Sequence, residues 1–117
     1  MPHARIDMHE ALRPRMAEMS AAILEGMVTG LDMPADDLFQ VFRLHQPGEL
    51  VFSRTHPRDR DRTDIVFIEI LASPNYSPEQ MQRGLSAIAA ELAKIGIKRD
   101  NLLLMVTPAS AWLAPME

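Results

Sequence analysis

A spacing of 64 residues relates the two halves of this chain and restricts its fold more than any other feature. Ile6 and Ile70 share this spacing, and so do two stripes of apolar side chains. The first stripe is Ala17, Ala21, Leu24, Val28 and Leu31, widened by Ile23 and Met27, and the second is Met81, Leu85, Ile88, Leu92 and Ile95. Both stripes have the spacing that places side chains on one face of an α-helix. The repeat predicts two copies of one supersecondary unit.

Each predicted helix lies between two strand patterns. Residues 2–8 alternate apolar and polar side chains, which indicates a strand with one buried face. Residues 64–71 are apolar on both faces, so both faces should be covered. Residues 38–45 and 102–107 supply the second strand of each half. Because β-α-β crossovers are right-handed with parallel strands, we predict an α/β fold with a four-stranded mixed sheet and both helices on one face. A second subunit is the simplest cover for the other face.

Local signals predict the ends of these elements. Ser77-Pro78-Glu79-Gln80 is a capping box that opens the second helix, and Gly96 is suited to end it. Gln46-Pro47-Gly48-Glu49 is typical of a type II turn. We therefore expect residues 50–52 to form a short hairpin strand. Residues 108–117 show no regular pattern and are expected to be a C-terminal tail.

Length and composition narrow the classes of protein. A chain of 117 residues fits one domain over 1–117, with repeat halves at about 2–53 and 64–107. The net charge of -4 argues against nucleic acid as a partner, and the lack of cysteine excludes thiolate chemistry. With no apolar run long enough for a membrane and no signal peptide, we expect a cytoplasmic protein. No metal site is expected, because the four histidines are scattered: His3, His9, His45 and His56.

Pro2 directly follows the initiator methionine. Removal of that methionine would leave Pro2 with a free secondary amine. Burial near cations lowers the pKa of such an amine toward neutrality, which makes it a base suited to cellular pH. If Met1 stays attached, the Pro2 nitrogen is an amide and cannot act as a base. Proline at position 2 also occurs without any catalytic role.

A short β-α-β repeat with proline after the initiator resembles the tautomerase superfamily, and within it the malonate semialdehyde decarboxylase branch. Further similarities follow in order along nearly the whole chain. Pro34-Ala35-Asp36-Asp37-Leu38-Phe39-Gln40 resembles the family's P-x-x-D-R-[FY]-Q, and His45-Gln46-Pro47-Gly48-Glu49 resembles its H-x-P-x-E. The others are Gly26-Met27-Val28 in the first helix, Arg62-Thr63 against the family's R-S, and Trp112 against the tryptophan of D-W-S-F-G.

The resemblance implies a homotrimer and cofactor-free chemistry on small keto or enol carboxylic acids. Pro2 matches the family's catalytic amine, and Asp37 matches the acidic residue that activates or orients water in decarboxylation and hydration. Arg62, Tyr76 and Trp112 are the candidate substrate-binding residues. Asp37 could equally cap a turn. Arg62 could be structural, and Tyr76 could simply pack.

The chain departs from the family where the substrate carboxylate binds. The family has one or two arginines after its central strand, whereas this chain has Ser73-Pro74-Asn75-Tyr76. Leu38 replaces a further arginine. A bidentate guanidinium is hard to replace, which argues against decarboxylase activity. Substitute cations are available at Arg5, Arg43, Arg58, Arg60 and Arg62, from the same or a neighbouring subunit.

Two hypotheses therefore stand. The first is a tautomerase-like enzyme that uses Pro2 as general acid and base. The second is a catalytically degenerate trimeric family member that binds small molecules or acts as a scaffold.

Overall fold

Four strands form one mixed sheet, and two helices pack on one of its faces, in a computed structural model that describes residues 2–109 and 111. The elements are β1 (His3–His9), a 3₁₀ turn (Glu10–Arg15), α1 (Met16–Leu31), β2 (Gln40–His45), β3 (Val66–Ala72), α2 (Pro78–Lys94), a second 3₁₀ turn (Arg99–Asn101) and β4 (Leu102–Pro108). The strand order is β2-β1-β3-β4. Strands β1 and β2 are parallel, β3 and β4 are parallel, and β1 and β3 are antiparallel. The predicted α/β fold is confirmed.

The strand register reproduces the sequence repeat. Ala4 pairs with Gln40 in the first half, and Ile68 pairs with Leu104 in the second. Each residue of the second pair comes 64 positions after its counterpart in the first pair. The two halves therefore have equivalent internal pairing and meet where β1 lies antiparallel to β3. A single domain over 1–117 and half boundaries at 2–53 and 64–107 stay predictions.

The two helices touch through their backbones. A Cβ added at Gly26 would lie 2.5 Å from the Cα of Ile88, and one added at Gly30 would lie 2.5 Å from the Cα of Gly84. Side chains cannot come that close, so glycine is required at this crossing. The core below it is formed by inner side chains of both helices and of the strands, and its central strand residues are Ala4, Ile6, Met8, Val66, Ile68 and Ile70.

The buried face of helix α1 matches its predicted apolar stripe only in part. Ala17 and Ala21 are exposed, and Leu24 and Val28 are half-buried. The buried residues of α1 are Met19, Ala22, Ile23, Gly26, Met27, Gly30 and Leu31. Ile23, Met27 and Leu31 are thus buried as predicted, whereas the face is turned away from Ala17 and Ala21 because the contact with α2 runs along the glycines. In α2 the predicted stripe holds at its centre, where Ile88 and Leu92 are fully buried.

The predicted hairpin strand at residues 50–52 is wrong. The turn at 46–49 forms, but the following segment lies outside the sheet. The side chains of Leu50 and Phe52 are half-buried, and each lines a cavity together with Phe67 and Leu103. Val51 between them is 87% exposed. The segment thus crosses the open face of the sheet. Burying the side chains of Leu50 and Phe52 on that face is favourable, and it takes the place of hydrogen bonding along the edge of β2.

The capping box of α2 is only half formed. Ser77 Oγ accepts a hydrogen bond from the Gln80 backbone N–H at 3.1 Å, as predicted. The Gln80 side chain instead donates to Leu31 O and Asp32 Oδ2, both at 3.2 Å. It therefore ties the start of α2 to the end of α1. At the other end of α2, Gly96 has a φ of 85°, the left-handed geometry that ends helices at glycine.

The open face of the sheet carries charged and apolar side chains together. Asp7 accepts hydrogen bonds from Arg43 Nη2 at 2.8 Å and His45 Nε2 at 2.7 Å. Val41, Leu103 and Met105 on the edge strands are 38% to 51% exposed. The face is thus less apolar than the central strand alone predicts. Among the described residues, no helix combines the length and the hydropathy needed to cross a membrane.

Candidate functional site

Pro2 lies buried at one end of the sheet, just before β1. Extending the antiparallel pairing by one residue puts it opposite Ala72, the last residue of β3. Extending the parallel pairing puts Leu38 on its other side. Strand β2 begins and strand β3 ends here, so the loops that flank these strands surround Pro2. Met1 lies outside the described residues.

Asp37 and Tyr76 come from those two loops. Asp37 is held in a turn, in which its N–H donates to Pro34 O at 3.1 Å. Tyr76 is half-buried against the core between β3 and α2. Burial raises the pKa of Tyr76 above its ordinary value of 10.0, and the charges of Asp37 and Asp32 raise it further. The structure therefore brings a buried proline, a carboxylate and a phenol to one end of the sheet.

Arg62 lies at the opposite end of the same protomer. Its Nη1 donates to Ser53 O at 3.1 Å and also to His56 O. Strand β3 runs between Arg62 and the Pro2 end, and its seven residues at about 3.3 Å each put roughly 20 Å between them. Within one protomer Arg62 holds a loop and does not meet Pro2. Trp112 lies outside the described residues.

The other candidate cations are also placed away from Pro2. Arg5 pairs in register with Glu69, and its side chain is on the exposed side of β1. Arg43 binds Asp7 on the open face. Arg58 and Arg60 belong to the loop that Arg62 holds.

Sequence reasoning missed one basic residue at the Pro2 end. Arg83 of α2 lies 3.5 Å from the carboxylate of Asp32, the same aspartate whose charge acts on Tyr76. No motif marks it. The signal that could have revealed it is topological, since α2 starts where β3 ends.

The histidines are less scattered than their sequence positions suggest. His9 and His45 pair in register, and each contacts a carboxylate: His9 Nδ1 lies 2.7 Å from Asp64 Oδ1, and His45 Nε2 lies 2.7 Å from Asp7 Oδ1. Both histidines line a cavity of about 460 Å³. In residues 2–109 and 111, no group of three or more histidine, cysteine or acidic side chains is arranged to hold a metal ion.

Two β-α-β units in one sheet, with a buried proline at the start of the first strand, define a class of small duplicated α/β proteins. The model of the family described as "Tautomerase enzyme" matches residues 37–111, which is more than half of the chain. The chain belongs to this tautomerase family.

Individual relatives agree with this assignment. "Probable tautomerase YusQ" of Bacillus subtilis (strain 168) is 20% identical over 92 residues, which cover 78% of this chain and 72% of that protein. The crystal structure of FG41 malonate semialdehyde decarboxylase inhibited by 3-bromopropiolate has a TM-score of 0.82 at 24% identity, over 91% of this chain and 82% of the other. A fused 4-OT wild type asymmetric trimer has a TM-score of 0.78 at 9% identity, over 98% and 94%. These two structures share the fold of this chain.

Proposed function

We propose that this chain is a tautomerase that uses the amine of Pro2 as general acid and base on small keto or enol carboxylic acids, without a cofactor. The observation that carries the proposal is the burial of Pro2 at the end of the sheet where Asp37 and Tyr76 also lie. Membership of the tautomerase family supports the same reaction class.

In this mechanism Pro2 moves one proton. The neutral amine takes the proton of the enol hydroxyl, and the resulting ammonium returns a proton to carbon as the carbonyl forms. Burial lowers the pKa of an amine and a nearby carboxylate raises it, so Asp37 opposes the effect of burial and keeps both protonation states accessible.

Tyr76 and Arg83 are proposed to bind the substrate. With its pKa above 10.0, the Tyr76 phenol is protonated at neutral pH and can donate a hydrogen bond to a substrate oxygen. Arg83 supplies positive charge for the substrate carboxylate in place of the missing arginines after β3. Its only ion-pair partner within the described residues is the exposed Asp32 at 3.5 Å, which leaves its guanidinium available.

We further propose that the chain is a homotrimer. The exposed apolar side chains of β2 and β4 would be covered by neighbouring copies. The fused 4-OT relative is described as a trimer, which supports the same assembly. Arg62 and Trp112 are retained as substrate-binding candidates only through such a neighbour, because Arg62 is distant from Pro2 within its own protomer.

The test is ketonisation of an enol acid, phenylenolpyruvate, by wild type and Pro2→Ala. We expect kcat/KM to fall by about 10² to 10⁴, the range of general acid–base catalysis. Pro14→Ala is the matched control, since this proline lies in the 3₁₀ turn before α1, and it should leave the rate unchanged. Equal rates for wild type and Pro2→Ala would exclude Pro2 from the mechanism.

Intact mass spectrometry of protein made by its native host provides the second arm. We expect a mass that lacks methionine. A mass that includes methionine, together with no ketonisation, would favour the non-catalytic binding protein.

A further inference from the structure

Arg62 is a buried cation that has no carboxylate partner among the described residues. It is 9% exposed, and its hydrogen bonds end on backbone carbonyls of the loop that it holds. Its Nε is buried and has no hydrogen-bond partner in the described part of the chain. A buried charge without a counter-charge is strongly unfavourable, so this position favours an anion nearby.

Arg62 also lines a cavity of about 250 Å³ between α2 and the edge strand β4. Arg60 and Arg99 line the same cavity, as does one acidic residue, Asp100. The two carboxylate oxygens of Asp100 already accept hydrogen bonds, from Arg60 Nη1 at 3.1 Å and from the Asp61 N–H at 3.0 Å. The wall thus carries three guanidinium groups against one occupied carboxylate.

The rest of the wall is partly polar and partly apolar. Gln82 and Ser86 of α2 present groups that can hydrogen-bond an oxygen. Leu85, Leu103 and Leu104 supply apolar surface. A small cavity with this division fits a molecule that has one charged end and a short aliphatic body.

We propose that this cavity binds a small organic carboxylate. Its carboxylate contacts the arginines, because a guanidinium matches two carboxylate oxygens, and its aliphatic part contacts the leucines. None of Pro2, Asp37 and Tyr76 lines this cavity, and its arginines belong to loops at the end of β3 opposite Pro2, so within one protomer it is a second site. The proposal holds whether or not Pro2 is catalytic.

The test is an NMR titration of the full-length ¹⁵N-labelled protein with butyrate, at constant ionic strength set with sodium chloride. We expect saturable shifts confined to residues 57–62, 82–89 and 99–104. Inorganic phosphate in a parallel titration should bind more weakly, since it has no aliphatic part. Arg99→Gln should weaken butyrate binding about tenfold, the loss of one charge-assisted hydrogen bond. Arg13→Gln, an exposed arginine outside the cavity, is the matched control and should not change it.

Arg62→Gln also removes the contacts that hold the loop, so a cooperative thermal transition is first used to check that this variant folds. Bound butyrate should raise the Tm of wild type. A folded Arg62→Gln variant should show no such rise. Where this variant does not fold, Arg99→Gln alone decides. Unchanged affinity in Arg99→Gln, shifts spread over all basic side chains, or phosphate binding as tight as butyrate would each overturn the proposal. Loss of butyrate binding in Pro2→Ala would place the anion at the other end and overturn it as well.

Discussion

The two ends of the sheet are related by the repeat but differ in what their equivalent residues do. The spacing of 64 residues relates Pro2 to Val66 and Asp37 to Asn101. At the second end, Asn101 Oδ1 accepts hydrogen bonds from the backbone N–H groups of residues 63–64 at 3.0 and 3.3 Å. At the first end, the carboxylate of Asp37 acts on the phenol of Tyr76.

This difference shows how equivalent residues of a duplicated unit can take different roles, one in stabilising a loop and the other in a candidate site. At the second end the side-chain oxygen of Asn101 holds the loop at residues 63–64, and Val66, the residue equivalent to Pro2, lies within the chain directly after this loop. At the first end the equivalent oxygens belong to Asp37, which is proposed to act together with Pro2. The four predictions below test how far the two halves differ, from the largest effect to the smallest.

The largest expected effect is a loss of stability when alanine replaces a glycine at the crossing of α1 and α2. The loss should differ between the glycine of the first half and that of the second. Gly30→Ala should lower the free energy of unfolding by about 3 kcal/mol, because its Cβ would meet the backbone of Gly84 at 2.5 Å. Gly84→Ala should cost only about 1 kcal/mol, since its Cβ meets the flexible end of Leu31 and alanine favours a helix. Urea unfolding measures both. Thr29→Ala on the exposed side of α1 is the control, and equal costs for the two glycines would contradict the prediction.

Removing the equivalent polar side chains should separate stability from activity. Asn101→Ala should lower the free energy of unfolding by about 1 to 2 kcal/mol, because two backbone N–H groups lose their acceptor. Asp37→Ala should change stability by less than about 0.5 kcal/mol and lower kcat at least about tenfold. Urea unfolding and the ketonisation rate measure the two effects. A large stability loss with unchanged kcat in Asp37→Ala would show that this residue only caps its turn.

The open face gives a pH-dependent contrast, because the repeat places Leu71 where the first half has Asp7. Burial raises the pKa of Asp7, but hydrogen bonds from Arg43 and His45 outweigh it and hold the pKa below the ordinary 3.8. A lowered folded pKa contributes stability above the unfolded value, and this stability is lost as pH falls through the folded pKa. The stability difference between wild type and Asp7→Asn should therefore be present just above pH 3.8 and shrink as the pH falls below it. Thermal unfolding across that range measures it, and a difference that grows on acidification would contradict the assignment.

The periodicity and spacing of residues in the sequence predicted those features of the fold that short segments determine by themselves. The strand pairing, the end of α2 at Gly96 and the turn at 46–49 all follow from such signals. The buried face of α1 followed only in part, because hydrophobicity gives glycine no weight although the close backbone contact at Gly26 and Gly30 decides how the helix is oriented. The prediction of a hairpin strand at residues 50–52 was wrong for a related reason. A strand-like sequence pattern does not show whether a segment pairs with the edge of a sheet or packs on its face.

The candidate site was predicted unevenly for the same reason. Pro2 and Asp37 could be named from the family resemblance, and the parallel and antiparallel pairing then brings Tyr76 to the same end. Arg83 could not be found, because its relevance depends on which end of the sheet α2 starts from. The pairing of His9 with His45 likewise needs the strand register.

The smallest expected effect tests the influence of the Asp37 charge on the Tyr76 phenol. Tyr76 is the single tyrosine of the chain, so its ionisation can be followed by ultraviolet absorbance without overlap from another phenol. Asp37→Asn should lower the pKa of Tyr76 because it removes a nearby negative charge. The pKa should nevertheless stay above 10.0, since burial is the larger cause of the shift. Asp36→Asn is the matched control: it removes an adjacent charge that does not contribute to the shift, and the pKa should not move. An unchanged pKa in Asp37→Asn would mean that the carboxylate does not act on the phenol. The Pro2 end would then resemble its counterpart at Asn101, with a polar residue that serves only its own turn.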